Sequence, residues 1–219
     1  MKLFMILIML SSNLYAADKT EKLDFSENLL VESINTKAPQ KDILEIVKSQ
    51  DIQHIWMMKK PRNGVFGRNY RRIEFKFIDI NKKTGLTYFV RGKSRLKKNI
   101  CEFTGELKVL KAVQYLPGAK ETVPIVILGK YELLEKTAST LTGKFSGSFR
   151  SYCYFSDDKR ILLDSRWDVA DGYNNNTFVG IWTDLKRDKN YKCIWGDYRL
   201  PYTGDFDEGA GELKRNCAT

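Results

Sequence analysis

From Ile73 almost to Tyr198 the chain alternates apolar and polar positions with a period of two. Ile73, Phe75 and Phe77 alternate with Arg72, Glu74 and Lys76, which predicts a strand buried on one face. The turn residues Asn81 to Gly85 follow, and Leu86, Tyr88 and Val90 then share one parity in a return strand. Further strands are expected over Cys101–Tyr115, Val123–Leu134, Ser139–Phe155, Ile161–Trp167, Thr177–Leu185 and Tyr191–Tyr198. The longest alternation runs from Leu141 to Phe155 and carries Gly143 and Gly147 on its apolar parity. Regular glycines in a long strand let a sheet bend sharply or close on itself. The fold class predicted is mainly β: an antiparallel up-and-down barrel or strongly curved sheet behind a short helical N-terminal segment, with a β-sandwich as the alternative.

The region before the strands reads differently. Residues 17–58 are expected to be helical or irregular, with a partial stripe of Leu23, Phe25, Leu29, Leu30 and Ile34. After Pro39, Ile43, Leu44, Ile46 and Val47 fall at helical spacing. Pro61, Gly64 and Gly67 among cations mark residues 59–72 as a basic loop, and residues 73–219 as the β-rich domain. Lys2, the apolar run Leu3 to Leu10 and the boundary Tyr15, Ala16, Ala17 have the form of a signal peptide over residues 1–16. The run is far shorter than the roughly 20 apolar residues that span a bilayer, so an exported protein, periplasmic or extracellular, is expected, with no transmembrane segment in the mature chain.

Export changes the reading of the cysteines. Cys101, Cys153, Cys193 and Cys217 form no CxxC pair, and an even count in an oxidising compartment predicts two structural disulfides of unassigned pairing. Charge is concentrated too. Of the net +10, residues 59–98 contribute fourteen cations against Glu74 and Asp79, a local +12. Arg91, Lys93 and Arg95 share one strand parity and lead to Lys97 and Lys98, so these five form a candidate face for an anionic glycan, lipid or protein surface. No specific nucleic-acid partner is indicated.

Enzyme chemistry finds little footing. His54 is the only histidine and lies between Ile52 and Ile55, which removes HExxH zinc chemistry and leaves a catalytic triad without a signature. No glycine-rich nucleotide loop occurs, and no cofactor or metal is expected. The acidic stretch Asp205 to Glu212 departs from calcium-loop spacing at Gly209 and Asn216. Asp164, Asp168, Asp171, Asp184 and Asp197 supply carboxylates that a barrel could bring together for the alternative reading, a hydrolase acting on a glycan, though nothing in their spacing enforces it. Asn175, Asn176 and Thr177 also match a glycosylation sequon.

Residues 167–202 are dense in aromatics. Trp167, Tyr173, Trp182, Tyr191, Trp195 and Tyr198 are candidate walls of a cavity for a small apolar or sugar ligand, with a packed core as the simpler reading of the same rings. The runs Asn99–Gly105, Asn175–Trp182 and Lys192–Pro201 resemble secreted β-rich bacterial proteins of unknown function, a likeness over roughly residues 73 to 212 that implies export and no particular activity. The function expected is therefore non-enzymatic binding, either in the aromatic cavity or on the basic face.

Overall fold

Eight strands close into one antiparallel barrel in the computed structural model, which describes residues 26–203 apart from 118, 120–123, 138–139, 167 and 169–171. The strands are β1 (Gln40–Asp42), β2 (Arg62–Phe66), β3 (Arg71–Thr84), β4 (Thr87–Leu96), β5 (Asn99–Tyr115), β6 (Ile125–Thr137), β7 (Thr140–Phe155), β8 (Ile161–Leu163), β9 (Asn174–Asp184) and β10 (Lys189–Tyr198). Around the ring the order is β2-β3-β4-β5-β6-β7-β9-β10, and the β2–β10 pair closes it. Each strand therefore neighbours its sequence neighbours, an up-and-down meander interrupted only by β8, which pairs with β7 outside the ring. Closure leaves no free sheet edge in the ring and rules out the sandwich.

The expected strands appear close to their predicted bounds. The exception is the basic loop, because Arg62–Phe66 is a strand. Its charge hid it: Arg62 is buried and its Nε donates to Asp197 at 2.6 Å, so a cation occupies a place where alternation would want an apolar side chain. Gly64 is required for closure. A Cβ there would stand 2.5 Å from the Cβ of Trp195 on the facing strand. Gly143 serves the same purpose under Trp182, whose ring carbon Cε2 would be 2.2 Å from an added Cβ.

Residues 26–32 form a helix, α1, laid on the outside of the barrel. Its Leu29 is buried with Val65, Val179, Ile194 and Leu200, which explains why those outward positions of β2, β9 and β10 are apolar. A second short helix, α2 (Leu44–Ser49), and the single turn Gln53–Ile55 lead to Trp56. Ile43, Val47, Ile52, Ile55 and Trp56 are all buried within the barrel's own core cluster, so this segment plugs one end of the barrel. A polar network holds the plug in place. Trp56 Nε1 donates to Ser151 Oγ at 3.0 Å, which donates to Asn176 Oδ1 at 2.7 Å, while Asn176 Nδ2 donates to Ile55 O and Asp197 Oδ2, both at 2.9 Å. Buried polar groups satisfied this way cost little and fix one arrangement. No helix among the described residues is long and apolar enough to cross a membrane.

The disulfide expectation fails. Among the described residues no two cysteines stand at disulfide distance, and Cys153 and Cys193 are buried thiols, so two bridges cannot form. Strand register gives the reason. Cys193 pairs across to Gly180, and Gly180 to Gly147, which lies six residues from Cys153 along β7. At about 3.3 Å per strand residue, that separation is about 20 Å. Cys217 lies outside the described residues, as do the signal-peptide region and the acidic stretch after Thr203.

Candidate functional site

The barrel axis is filled with rings. Trp195, fully buried, lies flat on Phe178 with centroids 3.7 Å apart and planes 6° apart, and its other stacking partner is Phe75 at 4.4 Å. Phe77 meets it edge-on at 5.4 Å. Inward parity on β9 and β10 explains this crowding, since Phe178, Gly180 and Trp182 face Cys193, Tyr191 and Trp195 across paired strands. The five described candidate cavity residues are not gathered into one chamber. Trp195 is mid-axis, and Trp182 and Tyr191 are half-buried at the end opposite the plug, where Phe66 meets them at 5.7 and 5.4 Å. Tyr173 and Tyr198 meet edge-on at 5.1 Å near the plug end, and Trp167 lies outside the described residues.

Two polar atoms inside this stack, Tyr131 Oη and Trp195 Nε1, are buried without a well-formed hydrogen bond, the indole being a polar neighbour of the Tyr131 hydroxyl. Burial holds the Tyr131 hydroxyl far above its ordinary pKa. Nearer the open end, Glu135 is buried on the inner face of β6, a residue the sequence reading missed. Its Oε1 accepts from Ser94 Oγ and its Oε2 from Trp182 Nε1 at 3.0 Å. Desolvation raises its carboxyl pKa, and the hydrogen bonds from Ser94 and Trp182 pull the other way. The available signal was parity, because Glu135 follows Tyr131 and Leu133 on the inward face.

The carboxylates proposed for glycan hydrolysis are held individually. Asp164 is bound by Arg166 through Nε at 2.8 Å and Nη2 at 2.7 Å, which depresses its pKa. Asp197 is held by Arg62 and Asn176, and Asp184 lies at the opposite end of β9, accepting from the backbone N–H groups of Lys186 and Arg187. Asp164 and Asp197 do both raise the Tyr173 hydroxyl, pushed up to about 12 chiefly by its own burial. Asp168 is exposed and Asp171 lies outside the described residues. His54 is a tether, its Nε2 2.8 Å from Ile161 O.

The remaining feature is the end of the barrel away from the plug, where β2, β4, β6 and β9 finish. Three of its turns are basic. The first carries Arg68 and Arg71, the second Lys97 and Lys98, and the third Lys186, Arg187 and Lys189, all exposed, with Asp184 and Asp188 as the acids in these turns. That leaves a net +5. The turn 97–98 places Lys97 at φ +57°, a conformation that favours Gly or Asn, so a lysine stands where turn geometry prefers other residues. Arg91, Lys93 and Arg95 line the outer face of β4 below that turn, as their parity predicted. Two of these three are matched: Arg95 Nε donates to Glu74 at 2.6 Å, and Lys93 lies 3.4 Å from Glu102. Lys97 and Lys98 at the tip are fully outward. A groove of about 510 Å³ on the barrel wall near α1 has mixed charge, with Glu27 and Lys130 paired at 2.7 Å, and so selects neither sign.

Compared with protein-family models, curated proteins and solved structures, the chain matches none of them.

Proposed function

We propose that the protein is a non-enzymatic binding module that docks an anionic surface on the hairpin end of its barrel. The observation that carries this reading is the convergence of Arg68, Arg71, Lys97, Lys98, Lys186, Arg187 and Lys189 on one end of the barrel. A cluster of cations at one end attracts an anion there and speeds productive encounter. The leader-like residues 1–16 support a setting outside the cytoplasm. The competing small-ligand chamber draws no support from rings that stack on one another.

The test separates position from net charge. Lys97→Glu/Lys98→Glu/Lys186→Glu and Lys41→Glu/Lys108→Glu/Lys111→Glu each lower the net charge from +10 to +4, the second set on the wall formed by β1 and β5. On immobilised heparin under a salt gradient, the tip variant elutes at clearly lower salt than the wall variant. Equal shifts for the two would mean that only net charge matters, and the reading would fall.

A further inference from the structure

Two of the three basic turns carry an exposed apolar side chain beside their lysines. Ile100 is 59% exposed and follows Lys97 and Lys98, and Leu185 is 44% exposed and precedes Lys186. Both project at the end of the barrel that carries the cations. Ile100 has outward parity on β5, opposite Arg95 on β4, so neither the barrel core nor α1 covers it. A flat polyanion such as a sulfated glycan has no use for solvent-exposed leucine and isoleucine at the contact. An anionic bilayer uses both features, because cations meet lipid phosphates at the headgroup level while apolar tips reach the acyl boundary below.

Resting on the anionic-surface reading, we infer that the partner is a phospholipid bilayer bearing negative headgroups, and that the barrel docks end-on with Ile100 and Leu185 inserted. Charge complementarity together with the exposed Ile100 and Leu185 selects this occupant. The contact is peripheral and reversible, since two side chains and a few cations give far less than a spanning segment.

The experiment is cosedimentation of the full chain with phosphatidylcholine vesicles, with and without phosphatidylglycerol, run beside the heparin column. Wild type pellets only with phosphatidylglycerol present. Removing each lysine weakens partitioning about fivefold, the equivalent of about 1 kcal/mol. Ile100→Ser/Leu185→Ser lowers partitioning by about tenfold or more while eluting from heparin as wild type does. Its melting temperature, close to wild type, serves as the folding control, because both side chains are already in water. Tip-dependent heparin binding without any vesicle binding would overturn the lipid inference and leave the anionic-surface reading standing. Vesicle binding unchanged in Ile100→Ser/Leu185→Ser would overturn insertion. Indistinguishable tip and wall variants on both supports would overturn both readings together.

Discussion

Truncating Trp195 tests whether the aromatic stack is core or ligand chamber. The side chain is fully buried and sandwiched by Phe178 and Phe75, so Trp195→Ala removes a ring with protein on both faces. Large-to-small aromatic truncations cost about 3–5 kcal/mol, and loss of two stacking contacts places this one near the upper end, about 5 kcal/mol. For a chain of this size, 1 kcal/mol shifts the melting temperature by about 2–4 °C, so calorimetry should record a drop of about 10–20 °C. Trp195→Phe makes the argument sharper. It deletes three heavy atoms, worth about 2 kcal/mol at about 0.8 kcal/mol per buried CH₂-sized group. It also deletes a buried indole N–H without a well-formed hydrogen bond, returning about 1–3 kcal/mol. The phenylalanine variant should therefore melt within a few degrees of wild type. An alanine variant as stable as wild type would refute the core assignment and restore a pocket. A phenylalanine variant as damaged as the alanine one would show that the N–H is satisfied after all.

Glu135→Gln addresses the buried carboxylate. Burial raises the folded-state pKa above the ordinary glutamate value of 4.5, so the folded chain holds this proton more tightly than the unfolded one. Its stabilising share is complete below that ordinary value and disappears as pH rises through the raised one. Glutamine can donate to Ser94 Oγ and accept from Trp182 Nε1, so urea midpoints measured from acid to neutral pH should fall less steeply for the variant; an unchanged slope would exonerate Glu135. The thiols of Cys153 and Cys193 are pushed well up by burial, which leaves almost no thiolate to react. Ellman's reagent without reductant should therefore miss both in the native protein and find both in urea, and failure to appear in urea would mean that they are bridged.

The fold was legible because alternation is a direct consequence of a one-faced sheet. Ile73, Phe75 and Phe77, then Leu133 and Tyr131, then Phe145, Phe149 and Cys153 all face inward as their parity requires. Glycines on the inner parity pointed to closure, and Gly143 beneath Trp182 shows the close approach they permit. Two features stayed hidden for physical reasons. β2 is short and begins with an arginine whose charge is neutralised by Asp197, 135 residues away, a partnership that no local window contains. The cysteine count pointed to a compartment and could not measure a distance, and register puts Cys153 and Cys193 at different levels of the barrel. The basic face was only partly legible. Parity placed Arg91, Lys93 and Arg95 on one side of β4, but Glu74 and Glu102 reach two of them from neighbouring strands.

That partial matching moves the candidate site from the wall of the barrel to its rim. Along the wall, antiparallel pairing sets each outward cation beside residues of the adjacent strand, so acids such as Glu74, Glu102, Glu106 and Glu132 come within reach of Arg95, Lys93, Lys83 and Lys144. At the turns the ladder ends, and the side chains of Lys97, Lys98 and Lys186 project beyond it into solvent. With the axis packed by Trp195 and its neighbours and the opposite end closed by Trp56, the hairpin rim offers exposed cations beside the exposed apolar side chains of Ile100 and Leu185. The binding role proposed for this barrel is an end-on contact, so substitutions at the turns, and not along β4, test it.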